Sequence, residues 1–183
     1  MKSTNIGLIG CGRIAGHHCR AITKNKNTNL IAVCDLDLDK AQKYADKYNV
    51  SAYTNYRKML SEESLIDTVA IITPSGMHYK HAQEIIKNYK KNIIVEKPTF
   101  LKISHFYEIL ELAKSYNLEV FPVFQNRHNL AVQRVRDSLL KNELGKINLV
   151  SVRVRWCRPQ RYYDLAPWRG TFAMDGGCLT NQG

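Results

Sequence analysis

Two short motifs hold residue types whose spacing could do chemistry. Gly10-Cys11-Gly12-Arg13-Ile14-Ala15 follows the apolar run Ile6 to Ile9, and Glu96-Lys97-Pro98 follows the apolar run Ile93 to Val95. The first offers a phosphate cradle. Gly10 and Gly12 let the backbone turn tightly and approach a pyrophosphate, and Ala15 is small enough for the next helix to pack against the strand. That helix, starting near Arg13, would aim the free N–H groups around Arg13 and Ile14 at the phosphates. The second motif puts a lysine just past a strand expected to be central in a parallel sheet, where ligands bind beyond the strands' carboxyl ends. Lys97 there can hydrogen-bond a substrate hydroxyl and share its proton, with Pro98 fixing the turn. Together the motifs predict a nicotinamide-dependent oxidoreductase. The plain alternatives are a glycine-rich turn and a surface lysine after an edge strand.

A second strand, Leu30 to Cys34, ends in Asp35, 20 residues beyond Ala15. A carboxylate there accepts from adenosine ribose hydroxyls and repels a 2'-phosphate, which favours NAD over NADP; alternatively Asp35 only caps the helix from about 37 to 48. Thr73, Pro74 and Glu96 join the cofactor set, as does His78, which starts a helix and could reach the cofactor unless it is a helix-surface histidine. Gln125, Asn126 and Arg127, just after the last strand of the alternating pattern, are placed to touch nicotinamide (Gln125) or sugar (Asn126, Arg127). Arg158, Arg161 and Arg169 with Tyr163 and Trp168 suit a carboxylate, which arginine binds in bidentate fashion; an exposed basic loop is the alternative. His78 and His81 lie three residues apart, but a metal site needs further ligands, and none is expected. Of His17 and His18, one is expected to pack and the other to be solvated.

The elements that must position these residues alternate. The sequence predicts strand 5–10, helix 13–25, strand 29–34, helix 37–48, a short helix 56–60, strand 68–72, helix 77–88, strand 92–96, helix 102–116 and strand 119–123. Strand and helix in such regular turn mean an α/β dinucleotide-binding Rossmann domain over residues 1–122. After Pro122 the pattern changes. An amphipathic helix is expected over about 130–141, and in 147–156 Val150, Val152, Val154 and Trp156 alternate with Ser151, Arg153 and Arg155. Period two predicts a strand with one buried face, the start of an α+β open-sheet domain occupying 123–183.

At 183 residues the chain holds one full domain and part of another, and its 44% hydrophobic content supports a sizeable core. No stretch approaches the roughly 18 apolar residues of a membrane span, and a strand starts within five residues where a signal peptide would lie, so a cytoplasmic protein is expected. Five cysteines, an odd number without CxxC spacing, point to reduced thiols that mostly pack. The net charge of +11 is spread along helices, as in Lys40/Lys43/Lys47 and Lys87/Lys90/Lys91. With no helix-turn-helix, RNA-binding or zinc-finger signature, an anionic small substrate uses that excess better than nucleic acid does.

The glycine loop, Thr73-Pro74 followed by His78, Glu96-Lys97-Pro98, Asn126-Arg127 and the glycine-rich end resemble, in that order, the Gfo/Idh/MocA oxidoreductases, the glucose-fructose oxidoreductase and inositol dehydrogenase family. The tail, Tyr162 to Thr171 and then Asp175-Gly176-Gly177-Cys178-Leu179-Thr180-Asn181-Gln182-Gly183, is similar to the branch that oxidises UDP-N-acetylglucosaminuronic acid at C3 in bacterial surface-polysaccharide synthesis. The resemblance implies a catalytic Lys97, a substrate role for Asn181, and a full-length homo-oligomer built through the open sheet. Many family members carry aspartate where this chain has Asn181. The family's catalytic histidine follows the last glycine by two positions, beyond Gly183, so the expectation is an incomplete reading frame whose 183 residues alone do not turn over. Another sugar or cyclitol dehydrogenase of the family, or an inactive NAD-binding fragment, are the remaining readings.

Overall fold

In a computed structural model, which describes residues 3–182, each apolar run of the first 122 residues becomes a strand of one sheet. The order is β1 (Thr4–Ile9), α1 (Ala15–Lys24), β2 (Thr28–Cys34), α2 (Leu38–Tyr48), β3 (Ser51–Tyr53), α3 (Tyr56–Glu62), β4 (Thr68–Ile71), α4 (His78–Glu84, continued by a wider turn over Ile85–Tyr89), β5 (Asn92–Val95), α5 (Ile103–Ser115) and β6 (Val120–Pro122). The strands lie in the order β3-β2-β1-β4-β5-β6, and every neighbouring pair is parallel. This is an α/β Rossmann fold, whose order reverses direction between β1 and β4.

Helices cover both faces, so central strands read as continuous apolar runs. All four residues of β4 are buried. On one face Ile9, Ile71, Ile93 and Val95 pack with Ile85, Ile86 and Ile109; on the other Leu8, Val33 and Ala70 pack with Ala15, Cys19, Ile22 and Ala41. Each fully buried Ile, Leu or Val stabilises by about 1.5–3 kcal/mol relative to exposure. Loops after β1, β2, β4 and β5 leave the same edge of this sheet and carry the candidate residues.

The edge strand β3 was not predicted. Three residues show no period, and it forms because Asn49, left-handed at φ 53°, ends α2 and turns the chain back beside β2.

Past β6 come α6 (Leu130–Leu140), α7 (Gln160–Asp164), α8 (Phe172–Asp175) and α9 (Gly177–Gln182). The strand expected over 147–156 is not formed. Its alternation suits a sheet, but no other strand of the described residues lies beside it to complete a ladder, and Leu149 (87%) and Val152 (79%) stand exposed. The tail instead returns to the Rossmann unit. At Gly76 an added Cβ would lie 2.8 Å from Met174 Cα and still nearer Ala173 O, so α8 docks only because this position lacks a side chain.

Candidate active site

The glycine loop takes the form the cradle requires. Gly10 has φ +101°, and a Cβ there would meet Ile72 O at 2.7 Å, so a side chain is excluded by both conformation and space. Gly12 has nothing within 4 Å of a built Cβ, which leaves open room in front of the loop. Helix α1 starts without a side-chain cap or an acid in its first turn, so its N–H groups are left for an anion. The sequence reading of Arg13 and Ile14 at this terminus fits that geometry.

Asp35, at the end of β2, accepts from Cys11 N–H (Oδ2, 2.7 Å) and from Asp37 N–H (Oδ1, 3.0 Å). It braces the cradle, while the cap of α2 is Asp37, which accepts from Lys40 N–H. Each carboxylate oxygen of Asp35 keeps a lone pair for a further donor. The nearby cations Lys40 and Arg57 are already paired, with Asp37 (Nζ to Oδ2, 2.9 Å) and with Glu84 (Nη2 to Oε2, 2.8 Å).

Lys97 follows β5, an interior strand, so the edge-strand alternative falls away. Its Nζ donates to Asn181 O (2.5 Å) and to Asn181 Oδ1 (3.0 Å). The two motif ends, far apart in sequence, therefore meet. Glu96 accepts from Lys97 N–H (Oε2, 2.9 Å) and pairs through Oε1 with His18 Nε2 at 2.8 Å. Burial pushes the Glu96 carboxyl up, but the bonds from His18 and from Lys97 N–H outweigh it and hold Glu96 below the ordinary carboxylate range. His18 is thus the packed member of its pair and His17 the exposed one.

His78, expected to reach the cofactor, is not the helix-surface histidine of the alternative reading. It is 1% exposed, with Nδ1 2.9 Å from Pro98 O and Nε2 2.8 Å from Thr73 O. It sits at the cleft wall between the Thr73-Pro74 loop and the Lys97-Pro98 loop, and burial favours the neutral ring, whose single N–H can donate to one of these two carbonyls. Beside it His81 meets Thr73 Oγ1 at 3.0 Å. Burial, and then the like charge of His78, push His81 down to about 4. No group of three or more His, Cys, Asp or Glu placed to hold a metal occurs among the described residues.

One open cleft of about 1910 Å³ runs past Gly10, Gly12, Arg13, Ile14, Asp35, Thr73, Pro74, Glu96, Lys97, Gln125, Asn126 and Arg127, and on past Arg158, Trp168, Arg169 and Asn181. That exceeds the usual 300–1,000 Å³ of a small-ligand site and has room for two extended ligands. Tyr163, expected among them, lies outside: its ring packs on Gly170. On α7 two successive residues point about 100° apart, and Tyr162 is the one that faces the cleft. Its hydroxyl accepts from Arg169 Nη1 (2.6 Å) and Gln182 Nε2 (3.3 Å), and the guanidinium carbons of Arg158 and Arg169 lie 5.0 and 4.5 Å from its ring centre. Arg169 Nε is buried and has no hydrogen-bond partner among the described residues. Sequence reasoning missed His18, Tyr162 and Asp175, which holds Asn181. The position of His18 three residues after Ala15, on the buried face of α1, was the one readable signal.

A family model described as an oxidoreductase family with an NAD-binding Rossmann fold matches residues 4–124. The chain belongs to this family, Gfo/Idh/MocA. Among curated relatives, an oxidoreductase of Formosa agariphila called P35 is 28% identical over 155 residues, 84% of this chain and 48% of that protein. Among solved structures, the WlbA dehydrogenase of Chromobacterium violaceum, in complex with NADH and UDP-GlcNAcA, is 33% identical with a TM-score of 0.93, covering 100% of this chain and 52% of that one. The WlbA dehydrogenase of Bordetella pertussis, with the same two ligands, is 31% identical with a TM-score of 0.92, covering 99% and 55%. The chain spans about half the length of the curated relatives it matches.

Proposed function

We propose that this chain belongs to an NAD-dependent dehydrogenase that oxidises the C3 hydroxyl of a UDP-linked sugar uronate. On this reading residues 1–122 form the dinucleotide-binding domain and 123–183 begin the substrate domain. The observation that carries it is one cleft holding a glycine cradle, a lysine bonded to Asn181, and an arginine pair of which Arg169 keeps a buried Nε with no partner among the described residues. The WlbA structures, solved with NADH and UDP-GlcNAcA, supply a chemical parallel.

The residues fit NAD. Gly10, Gly12 and the start of α1 would hold the pyrophosphate and Asp35 the ribose hydroxyls, while Thr73, Pro74, Glu96 and Gln125 would border the nicotinamide. Lys40 and Arg57 are each committed to a carboxylate, so neither of these two cations awaits a 2'-phosphate. Bound NAD would supply the hydride acceptor. Lys97 Nζ would hydrogen-bond the C3 hydroxyl and take up its proton as the C3 hydrogen leaves with its electron pair. Arg169 and Arg158 would bind the uronate carboxylate, with Asn126, Arg127 and Trp168 along the sugar nucleotide.

Calorimetry on the chain preloaded with NADH tests this. UDP-GlcNAcA is expected to bind at least about tenfold more tightly than UDP-GlcNAc, a gap of about 1.4 kcal/mol, and Arg169→Ala to erase the difference. Equal affinity for both would remove the uronate reading, and no dinucleotide binding would remove the dehydrogenase reading.

A further inference from the structure

Asp175 is a charged residue only 4% exposed, and among the described residues it forms no ion pair. A buried carboxylate without a cation must be held by N–H donors, since leaving it unsatisfied is costly. Asp175 uses both oxygens in this way. Oδ1 accepts from the side-chain amide Nδ2 of Asn181, and Oδ2 accepts from Gly170 N–H at 2.7 Å.

The first bond decides which way Asn181 faces. An amide has a donor end and an acceptor end, and turning it over would set Asn181 Oδ1 against the Asp175 carboxylate. With Nδ2 fixed on Asp175, Oδ1 is left to meet Lys97 Nζ at 3.0 Å, beside the main-chain oxygen of the same residue. The second bond secures the turn at Gly170, with φ +75°, directly after Arg169. Arg169 is thereby kept where Nη1 reaches Tyr162 Oη and Nε is buried.

We propose that Asp175 is the positioning residue of this site: one buried carboxylate sets the Asn181 amide against Lys97 and, with its other oxygen, the loop that carries Arg169. The proposal rests on the reading of Lys97 and Arg169 given above, and it deepens that reading by linking the proton-handling end of the site to its anion-binding end. Asp175 touches neither ligand on this account; it acts through Asn181 and Gly170.

The test uses ¹⁵N NMR on the full chain, which requires no substrate. Asp175→Asn keeps the shape but puts a donor where an acceptor stood, so Asn181 can settle either way round. Proton exchange at the Asn181 side-chain amide and at Lys97 Nζ, and at Gly170 N–H, is expected to quicken by at least about tenfold. Amides of β4 and β5 should keep their protection. The swapped pair Asp175→Asn with Asn181→Asp restores an amide-to-carboxylate bond with reversed polarity, and is expected to bring protection back at Lys97 and Gly170. It also decides the matter if the single variant loosens α8 as a whole. Unchanged signals in Asp175→Asn, or no recovery in the swap, would overturn the proposal. Binding of UDP-GlcNAcA is measured separately, so failure of the uronate reading leaves the NMR result standing.

Discussion

Two carboxylates support Lys97, Glu96 beside it in sequence and Asp175 by way of Asn181, and neither bonds its Nζ in the geometry described. Glu96 holds the lysine's backbone, and Asp175 holds the amide that meets its side chain. At the cofactor end Asp35 plays the brace as well as the candidate ribose acceptor. NAD is therefore expected to bind at least about tenfold more tightly than NADP, and Asp35→Ala to close that gap while weakening both, because Cys11 N–H loses its partner. Titration calorimetry decides; equal affinities in the unaltered chain would take Asp35 out of this role. His81 gives a pH dependence. Unfolded, it binds a proton near its ordinary 6.5, but in the fold burial and His78 resist protonation until about 4. Between those values the unfolded chain holds more protons, so stability is present above about pH 6.5 and is lost as the pH falls toward 4. His81→Gln should flatten that slope in urea denaturation, and an unchanged slope would assign it to other groups, with Glu84 and Arg57 facing the same ring. The sequence made Gly10, Asp35 and Lys97 legible because each sits at a fixed distance from an apolar run. It could not show that His78 lies between the carbonyls of Thr73 and Pro98, since these come together only in the folded chain.

At the scale of elements, legibility followed period and length. β1, β2, β4 and β5 are apolar runs long enough to read, and α2 announced itself by Asp37 before it and Asn49 after it. The strand β3 escaped because three residues carry no pattern, and the segment 147–156 misled because a correct period does not supply a neighbour to pair with. Docking of α8 against the start of α4 was unreadable, as it depends on the missing side chain of Gly76. That dependence is open to test. Gly76→Val should push α8 off and raise exchange across 160–182, while unfolding of the sheet, followed by far-ultraviolet dichroism, moves by no more than about 1 kcal/mol. Retained protection in the tail would mean that α8 is held elsewhere.

For the whole molecule, the tail leaves a row of apolar side chains in solvent, with Leu130 and Leu140 on α6 and Leu149, Val152, Val154 and Trp156 beyond it. Contiguous apolar surface and an unpaired strand pattern drive association. The chain is expected to self-associate with concentration in light scattering, and protease to cut first between 141 and 159, leaving a core that ends near β6. A monomer resistant throughout would contradict this. The strand order has a temporal side as well. β1 is made first yet lies in the middle of the sheet, between β2 and β4. During synthesis its second edge stays bare until residue 71 has emerged, and Gly10 gains its close neighbour only with Ile72. A dinucleotide therefore cannot serve as an early template for the nascent chain: the loop after β1 becomes a cradle only once Ile72 has been made.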